Sequence, residues 1–308
     1  MKDEYGTRDR IIIAIRNSLS VLPKLGLVKK PRYHRDGVTF IVAVKDEEMW
    51  IKPCIFSIEK VADEIIVVDS SIEDNTTKIV DDLAEHYGKI KHIRFYSEQA
   101  NAFALSLHIG LVSASYKWIF KWDSDMIAKS NEALTEWMNR LKQLDKDRYY
   151  CIDVARINLE GDTQHQPKFS PFGGYESRLF TWSSELKWAL KNNYIEQVSG
   201  DSIWGHRFPP WYNLQRWHEP YIFHCNIKSP KRMLMRRFWG DYMKTRDPRF
   251  RNLAEYTEYR VRNDWNMSME EAEKKNFAEI QKTLSPYDKD RFGELPEILK
   301  GINMSQPI

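Results

Sequence analysis

Residues 38–44 read Val-Thr-Phe-Ile-Val-Ala-Val, and residues 64–69 read Glu-Ile-Ile-Val-Val-Asp. Both runs are short, apolar and rich in β-branched residues, a composition that is typical of strands buried on both faces of a sheet. Between them, Trp50, Cys54 and Ile58 recur at the spacing of one helical face. The pattern therefore predicts a strand–helix–strand unit of a parallel sheet.

The same alternation continues along the chain as far as residue 123. The predicted elements are a helix with Asp74 as its N-cap, a strand at 92–96, a helix at 102–114 and a strand at 118–122 that ends in Asp123. Short loops between alternating strands and helices are typical of a sheet covered on both faces. We therefore expect an α/β fold with a mostly parallel sheet and helices on both faces.

Beyond about residue 145 the alternation becomes irregular. Strands are predicted at 149–157 and 178–182, a long polar loop at 158–174, and helices at 229–244 and 268–284. Residues 199–223 are rich in Trp, Pro, Gly and Tyr and show no period. We expect an irregular C-terminal half attached to the regular sheet.

The composition indicates a globular protein with its own hydrophobic core. Of the 308 residues, 42% are hydrophobic and 30% are charged, and the mean hydropathy of −0.61 argues against an integral membrane protein. The apolar segment Ile11–Leu22 is interrupted by Arg16 and lacks the cleavage pattern of a signal peptide. The three cysteines are far apart and form no C-x-x-C pair, which argues against a disulfide framework or a zinc knuckle. We expect a cytoplasmic protein.

The net charge of +3 conceals a strong segregation of charge along the chain. Residues 1–37 carry a net charge of +5 and residues 228–262 carry +7, whereas residues 38–150 carry −5. In both basic segments the cations are interleaved with apolar residues, which fits peripheral docking to an anionic membrane surface. The competing interpretations are ordinary solvated helix faces and, for Lys228 and Lys231, contacts with a bound diphosphate.

Acidic residues follow three of the predicted strands. They are Asp46, Glu47 and Glu48 after the first strand, Asp69 at the end of the second, and Asp123 and Asp125 at the end of the fourth. Ligands of an open parallel sheet bind outside the carboxyl ends of its strands. Clustered carboxylates repel one another unless a cation lies among them, and Mg²⁺ or Mn²⁺ held by one or two carboxylates keeps positions for phosphate oxygens. The alternative is that these acids are helix caps and solvated loop residues.

Several common catalytic motifs are absent from the sequence. There is no G-x-x-x-x-G-K-[ST], no G-x-G-x-x-G after a strand and no G-x-S-x-G, which argues against P-loop enzymes, dinucleotide oxidoreductases and α/β-hydrolases. His218, Glu219 and His224 do not have the spacing of a H-E-x-x-H zinc site, and Pro220 would interrupt the helix that such a site needs.

Three segments together resemble the nucleotide-binding half of a family 2 glycosyltransferase of GT-A fold. Residues 38–48 resemble the family's apolar strand ending in Asn-Glu-Glu, and residues 64–76 its Val-Val-Asp-Ser-Gly-Ser-x-Asp-x-Thr signature. Residues 121–127, Lys-Trp-Asp-Ser-Asp-Met-Ile, resemble its Asp-x-Asp metal motif. The resemblance implies a Rossmann-like GT-A sheet and an enzyme that uses a nucleotide sugar.

The resemblance also implies roles for individual residues. Asp69 would bond to uracil or another base, Glu47 would lie near the nucleoside, Asp123 would face the ribose and the metal, and Asp125 would bind Mn²⁺ or Mg²⁺ on the diphosphate. Nucleotide-sugar binding is assigned to Val44, Glu47, Asp69, Asp123 and Lys228, and metal binding to Asp125, Asp123 and His224.

The second half resembles a subgroup that modifies lipopolysaccharide cores. The motifs are Arg-Leu-Phe at 178–180, Trp-His-Glu at 217–219 and the later His224. In that comparison Glu219 is the candidate general base and His224 the third metal ligand, with Asp201 as the second choice of base. A base would deprotonate the acceptor hydroxyl so that it attacks the anomeric carbon opposite the leaving nucleotide.

The resemblance leads to a specific functional hypothesis. The chain would have a basic N-terminal arm (1–37), a GT-A catalytic domain (38–227) and a helical basic extension (228–308), with residues 38–130 binding the nucleotide sugar and 131–227 forming the acceptor side. It would be a metal-dependent, inverting hexosyltransferase that moves a sugar, most readily from a UDP sugar, to a hydroxyl of a glycan or glycolipid. The alternatives are a sugar nucleotidyltransferase, which would be expected to have a Gly-rich basic loop after the first strand, and a non-enzymatic basic module. We expect no nucleic acid partner.

Overall fold

The computed structural model describes residues 7–31, 35–97, 102–191, 195–199, 208–300 and 302. Its helices are Thr7–Leu19 (α1), Glu48–Ile58 (α2), Thr76–His86 (α3), Ala102–Ser113 (α4), Asn131–Lys142 (α5), Pro230–Thr245 (α6), Leu253–Arg260 (α7), Met269–Lys282 (α8), Lys289–Phe292 (α9) and Glu297–Lys300 (α10). Its strands are Arg35–Val44 (β1), Glu64–Asp69 (β2), Ile90–Arg94 (β3), Tyr116–Asp123 (β4), Met126–Ala128 (β5), Tyr149–Glu160 (β6), His165–Pro167 (β7), Phe172–Thr181 (β8), Lys187–Lys191 (β9), Ile195–Ser199 (β10), Tyr212–Asn226 (β11) and Leu284–Pro286 (β12). A π-helical turn, Val261–Trp265, follows α7.

Eight of these strands form one sheet in the order β3-β2-β1-β4-β8-β6-β11-β5. The strands β3, β2, β1 and β4 pair in parallel, as do β6 and β11, whereas β8 is antiparallel to both of its neighbours and β5 is antiparallel to β11. All strands of this sheet except β8 and β5 therefore point the same way. The predicted α/β fold of GT-A type, with a mostly parallel sheet, is confirmed.

The strand β1 is buried on both faces, as its composition predicts. Phe40 and Val42 belong to the core cluster that contains Trp50 of α2, whereas Ile41 belongs to the cluster that contains Leu107 of α4. Successive side chains of a strand point to opposite faces. Helices on both sides of the sheet therefore require the unbroken apolar run.

Two details of the first half differ from the prediction. The N-cap of α3 is Asn75 rather than Asp74. The Asp74 carboxylate instead accepts hydrogen bonds from Thr76 N at 2.9 Å and Glu48 N at 3.0 Å, and so joins the start of α3 to the start of α2. The strand predicted at 92–96 is two residues earlier, at Ile90–Arg94.

The second half is more regular than the sequence indicates. The long strands β6 and β8 extend into the predicted loop at 158–174, and β7 lies between them. The strand β11 begins at Tyr212, inside the stretch that shows no period. Its register against β6 shifts between Trp217 and Ile222. Such a bulge interrupts the two-residue period by which a strand is identified, which explains why β11 is missed.

The residues after 228 form a helical layer that returns to the sheet. The helices α6, α7 and α8 share a hydrophobic cluster around Leu234 and Phe238. The chain then comes back, because β12 pairs with β7 and Phe292 and Leu299 enter the core that contains α2. The C-terminal part of the predicted extension therefore packs into the core of the fold. The buried apolar face of α6 is not available to a membrane.

The N-terminal helix α1 packs against the first residues of β11. Arg16 is fully buried, and its Nη2 donates hydrogen bonds to the carbonyl oxygens of Phe208 and Pro209, both at 2.7 Å. Asn17 hydrogen-bonds to both main-chain groups of Leu214. The arm therefore lies at the amino-terminal edge of the sheet. Within the part of the chain that the structure describes, no helix combines the length and apolar character that a membrane span requires.

Replacing Gly110 with Ala should destabilise the protein, because α4 packs on β1 at this glycine. A Cβ at Gly110 would overlap Cγ2 of Ile41, a side chain without exposed surface. Overpacking of this kind costs about 1 to 3 kcal/mol, which exceeds the gain of about 1 kcal/mol that alanine brings to a helix. We expect chemical denaturation to show a lower free energy of unfolding for Gly110→Ala.

The matched control is Gly240→Ala in α6, where a Cβ would meet no atom within 4 Å. Only helix propensity changes there, and so we expect the free energy of unfolding to rise by about 0.5 to 1 kcal/mol. Equal effects of the two substitutions would contradict the close packing of α4 on β1.

Candidate functional site

The carboxyl ends of β1, β2, β4 and β11 lie at one edge of the sheet, where ligands of such sheets bind. The strand β4 ends at Asp123, and the chain then turns into β5, which pairs with β11 so that Met126 lies opposite His224. This pairing brings Asp125, in the turn, next to His224, with 3.5 Å between Asp125 Oδ1 and His224 Nε2. Lys228 follows two residues after the end of β11.

The loops after β1 and β2 are joined by hydrogen bonds. Asp46 has a positive φ of 53°, and its carboxylate accepts from the main-chain N–H groups of Ile72 and Glu73 at 2.8 and 2.9 Å. The carbonyl oxygen of Val44 accepts from Ser70 N at 3.0 Å. Aspartate tolerates this backbone region better than most residues because its short side chain bonds locally. The two loops therefore form one floor at the edge of the sheet.

Asp69, the residue predicted to bind a base, is fully buried and already bonded. Its carboxylate accepts hydrogen bonds from Ser71 N at 2.7 Å, Thr77 Oγ1 at 2.8 Å and Arg94 Nη1, and His92 Nε2 lies at 3.2 Å. Burial alone would raise the pKa of Asp69, but the hydrogen bonds from His92 and Ser71 hold it well below its usual range. A carboxylate has about four acceptor positions, so a base could bond to Asp69 only by displacing one of these donors.

Asp123 is paired with cations of its own chain. Its Oδ2 accepts from Arg178 Nη2 at 2.8 Å, and Lys121 Nζ is 3.4 Å from Oδ1. Burial would raise the pKa of Asp123, but the charges of Arg178 and Lys121 hold it well below its usual range. Arg178 also pairs with Glu176, which pairs in turn with Arg156. Asp123 is thus one end of a row of alternating charges that crosses β4, β8 and β6.

His224 is oriented by Asn158. The side-chain Nδ2 of Asn158 donates to the carbonyl oxygen of Ser170 at 3.0 Å, which directs its Oδ1 towards His224 Nδ1 at 3.3 Å. We therefore assign the proton to Nδ1, so that a neutral ring presents its Nε2 lone pair to Asp125. Burial lowers the pKa of His224 despite the neighbouring acids, which favours the neutral ring. A lone pair and a carboxylate oxygen that face each other favour a cation between them.

Glu47 and Asp125 share the cation Lys228. Its Nζ is 2.6 Å from Glu47 Oε1 and 3.0 Å from Asp125 Oδ2. Arg232, in the first turn of α6, donates to the same Glu47 oxygen at 2.9 Å and to the carbonyl oxygen of Asp46 at 2.6 Å. No site role was predicted for Arg232, although it lies in the basic segment that begins at Lys228.

Glu219, the predicted base, is paired with a cation of α5. Its carboxylate accepts a hydrogen bond from Arg140 Nη1 of α5 at 3.1 Å, and Arg140 also lies over the ring of Trp217. The register shift in β11 between Trp217 and Ile222 separates Glu219 from His224, whose ring faces Asp125 and Asn158. The structure therefore does not bring Glu219 to His224, because β11 is a strand rather than the irregular segment that was expected. Asp201 lies outside the described residues.

Replacing His92 with Gln should destabilise the protein more at low pH than at high pH. His92 Nδ1 is 2.6 Å from Asp81 Oδ1, and its Nε2 faces Asp69. Burial alone would lower the pKa of His92, but these two carboxylates outweigh burial and raise it. A raised folded-state pKa stabilises the fold below the unfolded pKa of about 6.5, and this stabilisation is lost as the pH rises through the folded pKa.

Denaturant unfolding at pH 5.5 and pH 9.5 tests this dependence. We expect His92→Gln to lower the free energy of unfolding by about 1 to 3 kcal/mol at the lower pH and by less at the higher pH. The control is His86→Gln, at an exposed position of α3, which should change little at either pH. A His92→Gln effect that is equal at both pH values would contradict the charged pairing.

Comparison with known proteins places the chain in a family. The sequence model of the family described as Glycosyl transferase family 2 matches residues 39–208, more than half of the chain. A TPR repeat-containing protein of Synechococcus elongatus is 24% identical over 187 residues, which cover 61% of this chain and 41% of that protein. The chain therefore matches less than half the length of this curated relative.

Solved structures match this chain at low sequence identity. The structure of S. aureus TarS 1–349 in complex with UDP-GlcNAc is 13% identical, covers 80% of this chain and 71% of that chain, and has a TM-score of 0.45. A 4-diphosphocytidyl-2C-methyl-D-erythritol synthase from Anaerococcus prevotii is 14% identical, covers 47% of this chain and 70% of that chain, and has a TM-score of 0.33.

The match to the family model includes the segments that supply Glu47, Asp69, Asp123 and Asp125. The ends of the strands in these segments form the floor of the site and supply its carboxylates. Because the match also spans more than half of the chain, the protein belongs to glycosyl transferase family 2.

Proposed function

We propose that the protein transfers a sugar, with inversion, from a nucleotide diphosphate sugar to a hydroxyl of a glycan or glycolipid, with a UDP sugar as the first candidate donor. The observation that carries the proposal is the convergence of Asp125, His224, Lys228 and Arg232 beside the joined loops after β1 and β2. Side chains of the kind that binds a divalent metal, Asp125 and His224, thus lie beside cations of the kind that binds phosphate, Lys228 and Arg232. That combination suits a diphosphate leaving group. Family membership favours this reaction over the nucleotidyltransferase and over the non-enzymatic basic module.

The floor formed by the loops after β1 and β2 suits the nucleoside. We propose that Val44 and Glu47 line it and that Asp69 supports it from beneath. Because the carboxylate of Asp69 is saturated by its own chain, contact with a base requires one of its donors to give way. Asp123, at the end of β4, would face the ribose.

The donor set fits a divalent cation with two protein ligands. Asp125 Oδ1 and the Nε2 lone pair of His224 face each other at 3.5 Å, and Mg²⁺ or Mn²⁺ commonly takes its remaining ligands from water and phosphate. Asp123, also predicted as a ligand, is paired with Arg178 in this structure. Among the described residues, no group of three or more His, Cys, Asp or Glu side chains has a metal-binding arrangement. When bound, the cation would offset charge on the leaving diphosphate.

Side chains of the protein would hold the site in place, supply charge beside the phosphates and deprotonate the acceptor. Arg232 holds Glu47 and the main chain of Asp46 in place, and so keeps the floor of the site rigid. Lys228 supplies a positive charge at the phosphate side of this floor. The base that removes the proton from the acceptor hydroxyl must approach from the opposite side of the sugar, and for this role we propose Asp201 rather than Glu219, whose carboxylate is engaged with Arg140.

Two finer assignments remain predictions. The first is membership of the subgroup that modifies lipopolysaccharide cores, together with the transfer of a hexose. The second is peripheral association with an anionic membrane, for which α6 offers the exposed side chain of Trp239 while its buried apolar face is not available. The exposed side chains Ile11 and Ile15 of α1 offer a further candidate surface, and they lie at the sheet edge opposite the site.

Thermal unfolding in the presence of nucleotide sugars tests the donor proposal. A ligand that binds only the native state raises Tm, and the stabilisation grows with the logarithm of its concentration divided by its Kd. We expect one of the UDP, GDP or dTDP sugars to raise Tm, and we expect Mn²⁺ to increase that shift. In Asp125→Asn the part of the shift that depends on Mn²⁺ should disappear.

The control for this measurement is Asp290→Asn, an exposed position in α9 that is remote from the site. Its shifts should equal those of the wild-type protein. No shift with any nucleotide sugar, with or without Mn²⁺, would contradict the proposed donor class.

Substitution of the two predicted bases distinguishes their roles. Loss of a general base typically lowers the rate about 10²- to 10⁴-fold. We expect a loss of this size in kcat for Asp201→Asn and a change of less than about threefold for Glu219→Gln, because Glu219 faces α5. The reverse order, measured with a soluble acceptor under saturating donor, would return the role of base to Glu219.

A further inference from the structure

Lys228 is a buried cation between two carboxylates. Its side chain is 8% exposed, and Nζ lies 2.6 Å from Glu47 Oε1 and 3.0 Å from Asp125 Oδ2. A charge removed from water persists only where nearby groups of opposite charge compensate for the lost hydration. In the absence of a donor, Lys228 therefore pairs with both acids.

The carboxylate that Lys228 holds is also the one that a divalent cation needs. Asp125 Oδ1 faces His224 Nε2, and Oδ2 is paired with Lys228. Two cations on one carboxylate lie only a few ångströms apart and repel each other strongly in a buried site. Lys228 and the divalent cation therefore compete for Asp125.

Glu47 does not depend on Lys228 alone. Arg232 Nη2 donates to the same Glu47 oxygen at 2.9 Å, and its Nη1 is fixed on the carbonyl oxygen of Asp46 at 2.6 Å. If Lys228 moved away, Glu47 would remain paired with a guanidinium, while Asp125 would be open to another cation. Lysine carries its charge on a flexible four-carbon stem, whereas the planar guanidinium of Arg232 is held at two positions. Lys228 is the cation that can move.

We propose that Lys228 is a displaceable counter-ion of Asp125. In the donor-free site it occupies the carboxylate, and when donor and divalent cation enter, the ammonium group moves from Asp125 to the diphosphate. This inference rests on the proposed function for the diphosphate that receives Lys228. The competition at Asp125 follows from the contacts of the free protein.

The displacement couples the two ligands. The diphosphate draws Lys228 away from Asp125 and so strengthens binding of the metal, and by linkage the metal strengthens binding of the nucleotide by the same factor. The free site binds the metal weakly because Lys228 is already there. Metal and nucleotide should therefore bind cooperatively.

Titration with Mn²⁺, followed by the electron paramagnetic resonance signal of the free ion, measures this coupling without any turnover. For the wild-type protein we expect UDP to lower the Kd for Mn²⁺ by about 5- to 150-fold, the usual range of coupling between sites. For Lys228→Met we expect the Kd in the absence of UDP to fall by a similar factor. UDP should then lower the Kd of this variant by a smaller factor than in the wild-type protein, because its phosphate oxygens still bind the metal while no lysine has to be displaced.

Lys121→Met is the matched control for a general effect of charge. Lys121 Nζ is 3.4 Å from Asp123 Oδ1, so the substitution removes one positive charge from the same acidic group but none from Asp125. Its Kd for Mn²⁺ without UDP should fall much less than that of Lys228→Met. Lys228→Arg keeps the charge and should resemble the wild-type protein, which guards against misfolding of the Met variant.

An unchanged Kd without UDP in Lys228→Met would overturn the proposal, as would equal decreases in Lys121→Met and Lys228→Met. Absence of Mn²⁺ binding in every protein, with and without UDP, would also overturn it. These outcomes are distinct from failure of the proposed function, which would appear as the lack of any Tm shift with nucleotide sugars. A lower Kd that is specific to Lys228→Met supports the displacement even where the donor base proves not to be uracil.

Discussion

The carboxylates gathered at one edge of the sheet must be neutralised, and this constraint explains how the two halves of the chain fit together. The first half supplies Glu47, Asp123 and Asp125 at the ends of parallel strands. The second half supplies the cations that pair with them, Arg178 from β8 and Lys228 after β11. Removing either member of such a buried pair leaves an uncompensated charge, which costs several kcal/mol. The acidic edge therefore depends on the correct placement of residues far along the chain.

A short piece of main chain accomplishes this placement. The strand β5 has only three residues, yet its pairing with β11 fixes His224 beside Asp125 and directs the chain towards Lys228 and α6. His224, Lys228 and α6 all lie beyond the match to the family model, which ends at residue 208. The matched region thus contains the floor and the acids, while the groups that would complete a metal and diphosphate site come from a segment that the family model does not cover.

Those parts of the structure with strong local signals were predictable. The buried strand that ends at Asp69 has the bounds that its apolar run indicates, and the acids at the strand ends follow from the topology of a parallel sheet. Arg232 and Glu219 show the limit of that reasoning. The position of Arg232 depends on how α6 packs next to the end of β1. The direction of the Glu219 side chain depends on a bulge in β11. Both are long-range features without a local period in the sequence.

The buried guanidinium of Arg16 bears on where the folded unit begins. Its two acceptors, the carbonyl oxygens of Phe208 and Pro209, lie at the end of the family match and just before β11. An expressed fragment that starts at residue 38, within β1, would leave both oxygens without their donor and expose the part of β11 against which α1 packs. The helix α1 is therefore part of the folded unit, and a truncation chosen from the family match alone would remove a helix that packs on the strand that carries His224.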